Sequence, residues 1–357
     1  MKSPSSRLAS LDILRGLDLF LLVFLQPVVV AIGRVANPSW LDPLLYQLDH
    51  EVWEGFRAWD LIMPLFLFMV GTSMPFSFAR YRESHDRSGL YHRIGRRVIV
   101  LFFFGMIVQG NLLGFDLSRI YLFTNTLQAI AVGYLIASLI TLNFSARGQI
   151  LLTATLLIVY WIPMHFFGDY TLQGSFAFAV DSLVIGRFHG DPSYTWVWSS
   201  LTFAATVMTG YFAGEMMRST SARKSLTALR MAILGLALIA AGLLWSLEMP
   251  IIKRIWTSSM TLYSSGLCFL LMATFYYLID CLGYSRGLGW LKIYGMNAIT
   301  AYILGEVIDF RSIVSSVSYG LAPRLGDYYP AWLTFGNFLI LFFILRYMYR
   351  QRIFLKV

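Results

Sequence analysis

The sequence predicts an all-α integral membrane protein, a bundle of about ten transmembrane helices with the N and C termini cytoplasmic. Three observations carry this. Of 357 residues, 57% are hydrophobic and only 13% charged, about half the charge that a water-soluble domain normally carries. The apolar residues gather in runs of roughly 20, the length a helix needs to cross a hydrocarbon core. Lys and Arg alternate in density between successive loops, the pattern that sets orientation.

Taken in order, the spans fall near residues 11–33, 58–80, 95–115, 122–142, 149–167, 196–217, 228–247, 257–280, 289–309 and 330–349. No small-residue cleavage site follows the first run, Ile13 to Ile32, so it reads as a retained helix rather than a leader. The ninth span is the least typical, since it carries Gly295, Asn297 and Glu306. Turn-rich or polar stretches separate the spans, as at Arg82–Gly95, Phe167–Tyr194 and Asp309–Tyr329. With no soluble domain, low-complexity segment or internal repeat, residues 1–357 form one membrane domain.

On these spans twenty of the 28 Lys and Arg fall on the side holding both termini. They include Lys2, Arg7 and Arg15, the run from Arg80 through Arg96 and Arg97, then Arg223, Lys224 and Lys356. The other eight, Arg34, Arg57 and Lys253 among them, lie opposite. The loop of residues 34–57 therefore faces away from the cytoplasm. The formal charge of +9 reads as topology and membrane lipid rather than nucleic acid. Cys268 and Cys281 are too few for a disulfide framework, and no His/Cys pattern marks a metal.

Ionisable groups inside membrane helices are costly and mark sites by default. Asp12 and Arg15, three residues apart, share a face of the first helix and can pair; Asp18 lies one turn on. The densest cluster is His50-Glu51-Val52-Trp53-Glu54-Gly55-Phe56-Arg57-Ala58-Trp59-Asp60, at the outer end of the second helix. A carboxylate that orients the His50 imidazole would make it a general base or nucleophile, while Asp60 as a helix cap is the structural reading. His85 and His92 fall in the basic loop, and His165 and His189 flank the loop of residues 167–195. Asn125, Gln128 and Asn297 either join helices by hydrogen bonds or line a polar cavity through the bundle.

Ser10-Leu11-Asp12-Ile13-Leu14-Arg15-Gly16-Leu17 resembles the opening helix of membrane acyltransferases that use cytoplasmic acyl donors. His50-x-x-Trp53-x-Gly55, followed by Asp60-Leu61-Ile62-x-Pro64-x-Phe66-x-Phe68-x-x-Gly71-x-Ser73, resembles the heparan-α-glucosaminide N-acetyltransferase family and its bacterial relatives. Leu127-Gln128, Asp181, Tyr194, Gly210-x-x-x-Gly214, Lys253-x-x-Trp256-Thr257 and Gly295-Met296-Asn297-Ala298-Ile299 agree in order. The similarity runs from about residue 8 to 349.

The resemblance implies that acetyl-CoA binds from the cytoplasmic side and that its acetyl group reaches the amine of a glucosamine-type sugar on the far side, with no metal. It makes His50 the catalytic histidine and Asp60 its carboxylate. His50 either accepts the acetyl group or removes a proton from an amine that attacks the thioester directly. Arg15, Arg96 and Arg97 are the candidates for the CoA phosphates, with Gln128 and Asn297 along the path. Trp53, Tyr194, Lys253 and Trp256 are the candidates for the sugar. The chain departs from many relatives in having Gln26-Pro27-Val28 and Ala36-Asn37-Pro38 where they carry an asparagine-rich turn, which points to a cell-envelope sugar of a bacterial inner membrane rather than heparan. The alternatives are an O-acetyltransferase of an envelope glycan and a proton-coupled transporter. Gly210 and Gly214 allow close helix contact, within one chain or in a homodimer.

Overall fold

The computed structural model describes residues 8–36, 38–84, 86–190, 193–219 and 224–355. Lys2, Arg7, Asn37, His85, Arg223 and Lys356 lie outside them, as do the side chains of Arg80 and Arg82. The described chain is helical and has no named strand. Helix α1 is a continuous stretch, Ala9–Ala36. Then come α2 (Ile62–Ser84), α3 (Arg87–Val108), α4 (Thr126–Asn143), α5 (Ala146–Phe166), the short α6 (Phe176–Val184), α7 (Ser200–Arg218), α8 (Lys224–Trp245) and α9 (Ser258–Phe275). The chain ends with α10 (Gly289–Met296), α11 (Ala298–Val307), α12 (Phe310–Ser318) and α13 (Tyr329–Arg350).

Each of the ten segments marked in the sequence is helical over most of its length. Among the described residues, seven helical stretches are long and apolar enough to cross a membrane. The shortfall lies in α3, α7 and the ninth segment. α3 begins with a basic turn, and α7 carries Thr202, Thr206, Thr209 and Glu215. The ninth segment differs from the single helix expected: Asn297, at φ −115° and ψ 28°, leaves the helical region and divides it into α10 and α11. In α1, Pro27 has no N–H to give to the carbonyl of Val23, and the turn Leu21–Leu25 just before it widens to a π-helical turn.

The exterior is apolar and the interior carries polar groups, the reverse of a water-soluble bundle. Ile99, Phe103, Leu151, Ile233, Leu244 and Phe343 are exposed, whereas Asp18, Gln128, Thr206, Ser264 and Ser265 are fully buried. Such a surface suits lipid, and with the seven helical stretches long and apolar enough to cross a bilayer it is the surface of a multi-pass membrane protein.

Glycines set the two tightest crossings. A Cβ on Gly16 would meet the Leu291 carbonyl oxygen at 1.9 Å, and one on Gly295 the Asp12 oxygen at 1.8 Å, which locks α1 to α10. Gly210 and Gly214 face the Phe68 and Thr72 carbonyls of α2 in the same way, so in this chain their contact is intramolecular. Gly210→Val is expected to destabilise the fold by about 1–3 kcal/mol or more, because backbone rather than a pliable side chain must move. Thermal unfolding in detergent checks this.

Candidate active site

The loop between α1 and α2 is built to present one imidazole. Arg57 holds Glu51 through Nε–Oε2 at 2.9 Å and Nη2–Oε1 at 3.1 Å, and its guanidinium lies 3.9 Å over the Tyr46 ring. This planar fork fixes the segment that carries His50 and holds the Glu51 carboxyl below its usual range. Asp60, in the 3₁₀ turn Ala58–Leu61 that opens α2, is 1% exposed. Its Oδ2 accepts from the backbone N–H of Glu51 at 3.1 Å and of Arg57 at 3.0 Å. Its Oδ1 faces His50 Nδ1 at 2.8 Å. One carboxylate thus serves as helix cap and imidazole partner together.

Lys253 completes the group from 203 residues away, with Nζ 3.3 Å from Asp60 Oδ1 and 3.0 Å from His50 Nδ1. Burial brings Lys253 down to about 8, against the pull of the Asp60 charge. The network fits best with Nδ1–H and the ammonium both donating to Asp60 Oδ1. That leaves the Nε2 lone pair available on an imidazole whose side chain is 40% exposed. A group that binds no proton in the folded state but does so unfolded adds stability as pH rises. Lys253 therefore penalises folding in full below pH 8, and the penalty fades up to the model-peptide value of 10.5. Relative to Lys253→Met, the wild type is expected to gain about 3 kcal/mol across that window, read as thermal stability against pH.

A single cavity of about 1690 Å³ joins this group to the opposite end of the bundle. There it is lined by Arg15, Arg93, Arg96, Arg97, Arg218 and Lys224. Arg15 lies 3.8 Å from Asp12, so the pair expected from their spacing forms. Arg97 stacks 4.6 Å from the Tyr134 ring, and its Nε has no hydrogen-bond partner among the described residues. Midway, Asn297 and Thr300 line the cavity where the ninth segment breaks. Asn297 Oδ1 and Thr300 Oγ1 are buried and likewise unpartnered.

Of the residues singled out in the sequence, His50, Asp60 and Lys253 converge, and Arg15, Arg96, Arg97, Asn297 and Tyr194 line the same cavity. Three stand elsewhere. Gln128 is fully buried, and its side chain accepts from Thr124 N at 2.8 Å and donates to the Leu122 carbonyl, so it braces the start of α4. Trp256 is 1% exposed and donates from Nε1 to Thr206 Oγ1 at 3.3 Å, which leaves no face for a sugar. Trp53 packs in the cluster around Met249 and Ile252 and donates to the Tyr170 carbonyl at 2.9 Å. Arg93, Arg218, Lys224 and Thr300 were not singled out, although Arg93, Arg96 and Arg97 share one helix face by spacing alone. His189 and Asp181 form a second pair at 3.2 Å, but Asp181 also accepts from Trp196 N and Val197 N. That fixes the loop beside Tyr194.

Compared with curated protein sequences, the chain finds no match. Residues 7–254 match the family profile described as heparan-alpha-glucosaminide N-acetyltransferase, catalytic, a stretch that takes in His50, Asp60 and Lys253 and exceeds half of the chain. The chain belongs to the heparan-α-glucosaminide N-acetyltransferase family and is an acyltransferase.

Proposed function

We propose that this protein, as one membrane domain, moves an acetyl group from cytoplasmic acetyl-CoA to the amine of a glucosamine-type sugar outside the cytoplasm, in a bacterial inner membrane. In this reading the helices form ten spans with both termini cytoplasmic. The observation that carries it is a continuous cavity with six basic side chains at one end and His50 and Lys253, both held by Asp60, at the other. Cationic side chains suit the phosphates of CoA. The unpartnered Asn297 Oδ1 and Thr300 Oγ1 suit the amides of the narrow pantetheine arm, which lies along the cavity with its thioester towards His50. Tyr194, with the Arg254 guanidinium 5.8 Å over its ring, lines the sugar side.

The chemistry forms a C–N bond and breaks a C–S bond. His50 Nε2 takes the proton that the amine loses, the CoA sulfur leaves as thiolate, and that proton then goes to the thiolate or to water. In a two-step version the same Nε2 attacks the thioester carbonyl and holds the acetyl group before the amine takes it. Asp60 serves both by fixing Nδ1–H and balancing the imidazolium. Lys253 balances Asp60 between turnovers.

The test is CoA release from acetyl-CoA by purified protein in detergent, with and without glucosamine. Release that glucosamine accelerates supports the reading. Acetyl-CoA bound but consumed only with a hydroxyl acceptor favours O-acetylation, and no binding of acetyl-CoA turns the assignment towards a proton-coupled transporter.

A further inference from the structure

The cavity also reaches exposed side chains at the ends of α3 and α11. Gln109, just past α3, and Glu306, near the end of α11, both line the cavity and both are exposed. They touch through Gln109 Nε2 to Glu306 Oε2 at 3.5 Å, the outer limit of a hydrogen bond. Leu22, in the widened turn of α1, lines the same stretch. α3 and α11 also pack against each other through apolar residues such as Leu101 and Ile303, and at their ends only this weak polar contact bridges them.

The chain on the α3 side of this contact is apolar and outward-facing. Phe103, Leu112, Leu113, Phe115, Leu117 and Ile120 enclose a separate recess of about 400 Å³. Phe115, 88% exposed, sits at φ +51°, a conformation that bulky residues rarely adopt, and there its ring stands clear of the protein. Leu117 is 74% exposed. On the other side Val307 and Ile308, directly after Glu306, are exposed as well. Phe103 carries the recess onto the apolar face of α3, so it is continuous with the surface already assigned to lipid.

We infer that the acceptor is a lipid-anchored amino sugar, whose sugar passes between Gln109 and Glu306 into the cavity while its hydrocarbon chain lies in the recess of Phe103, Leu113, Phe115 and Leu117. This rests on the acetyl-transfer reading and adds the substrate's anchor and its route. A free sugar has no use for an apolar recess beside that contact. An alkyl chain occupies it and stays in continuous contact with the bilayer.

The experiment uses full-length protein in phospholipid vesicles and compares free glucosamine with a glucosaminide carrying a long alkyl chain. Burial of several methylenes is worth at least about tenfold, so kcat/KM is expected to favour the alkyl glucosaminide by at least that factor. Phe115→Asn with Leu117→Asn, two exposed positions whose replacement leaves the core intact, is expected to reduce the preference to about threefold or less by raising KM for the alkyl acceptor. A wild-type preference near one, or a preference unchanged in the double variant, overturns the inference and leaves acetyl transfer standing. Turnover of neither acceptor overturns both.

Discussion

His50→Ala is expected to lower kcat for acetyl transfer by about 10³-fold while acetyl-CoA binds as before, since a positioned acid–base group contributes roughly 10²–10⁴. The split follows from the cavity. The basic side chains that suit the CoA phosphates are at the end opposite His50, so removing the imidazole takes nothing from them. Folding is spared too. His50 is part-exposed, its side-chain contacts are polar, and Asp60 and Lys253 still pair at 3.3 Å without it. Binding measured by calorimetry beside single-turnover CoA release separates the two effects. A variant that loses binding and turnover together would mean that His50 shapes the cavity rather than acting on the acetyl group.

Asp60→Asn is expected to lower kcat by about 10²–10⁴-fold, for a reason of protons rather than shape. The carboxylate accepts at both oxygens: Nδ1–H and Lys253 at Oδ1, two backbone N–H groups at Oδ2. An asparagine has one accepting oxygen. If that oxygen keeps the two backbone donors, its NH₂ points at His50 Nδ1, which then holds the lone pair and places the hydrogen on Nε2. The base is silenced with its ring in place. If the amide turns the other way, the loop of Glu51 and Arg57 loses its acceptor. Acetyl-CoA binding unchanged with kcat lost indicates the first arrangement. A lowered unfolding temperature with kcat largely kept would show that capping is what Asp60 chiefly does.

Where lipid dictates the pattern, the sequence was legible. Spans such as Ala146–Phe166 and Lys224–Trp245 stand out because a helix facing hydrocarbon has little choice of residue. Legibility fails where a helix turns towards the cavity. α3 and α11 carry Arg97 and Thr300 there, and the break at Asn297 is hidden because amides also occur in unbroken helices. Asp12 with Arg15 was readable from spacing. His50 with Asp60 was readable as a pair, but the double duty of Asp60 was not, since capping and orienting looked like rival roles. Lys253 reads from the sequence only as a sugar-side residue, since nothing in local spacing reports its contact with His50, 203 residues away. Trp256 and Gln128 misled for a related reason: an aromatic or an amide near a helix start reads the same whether its side chain faces a ligand or the protein's own backbone.

Passage of the acetyl group through the protein, from a donor on one side to an amine on the other, is read from the sidedness of donor and product. Protein is reconstituted in sealed vesicles in one orientation, with the basic end outside, glucosamine trapped within and labelled acetyl-CoA added outside. Labelled N-acetylglucosamine inside and CoA outside are expected, and neither with His50→Ala. Labelled product formed only when both substrates share one compartment would contradict passage through the protein.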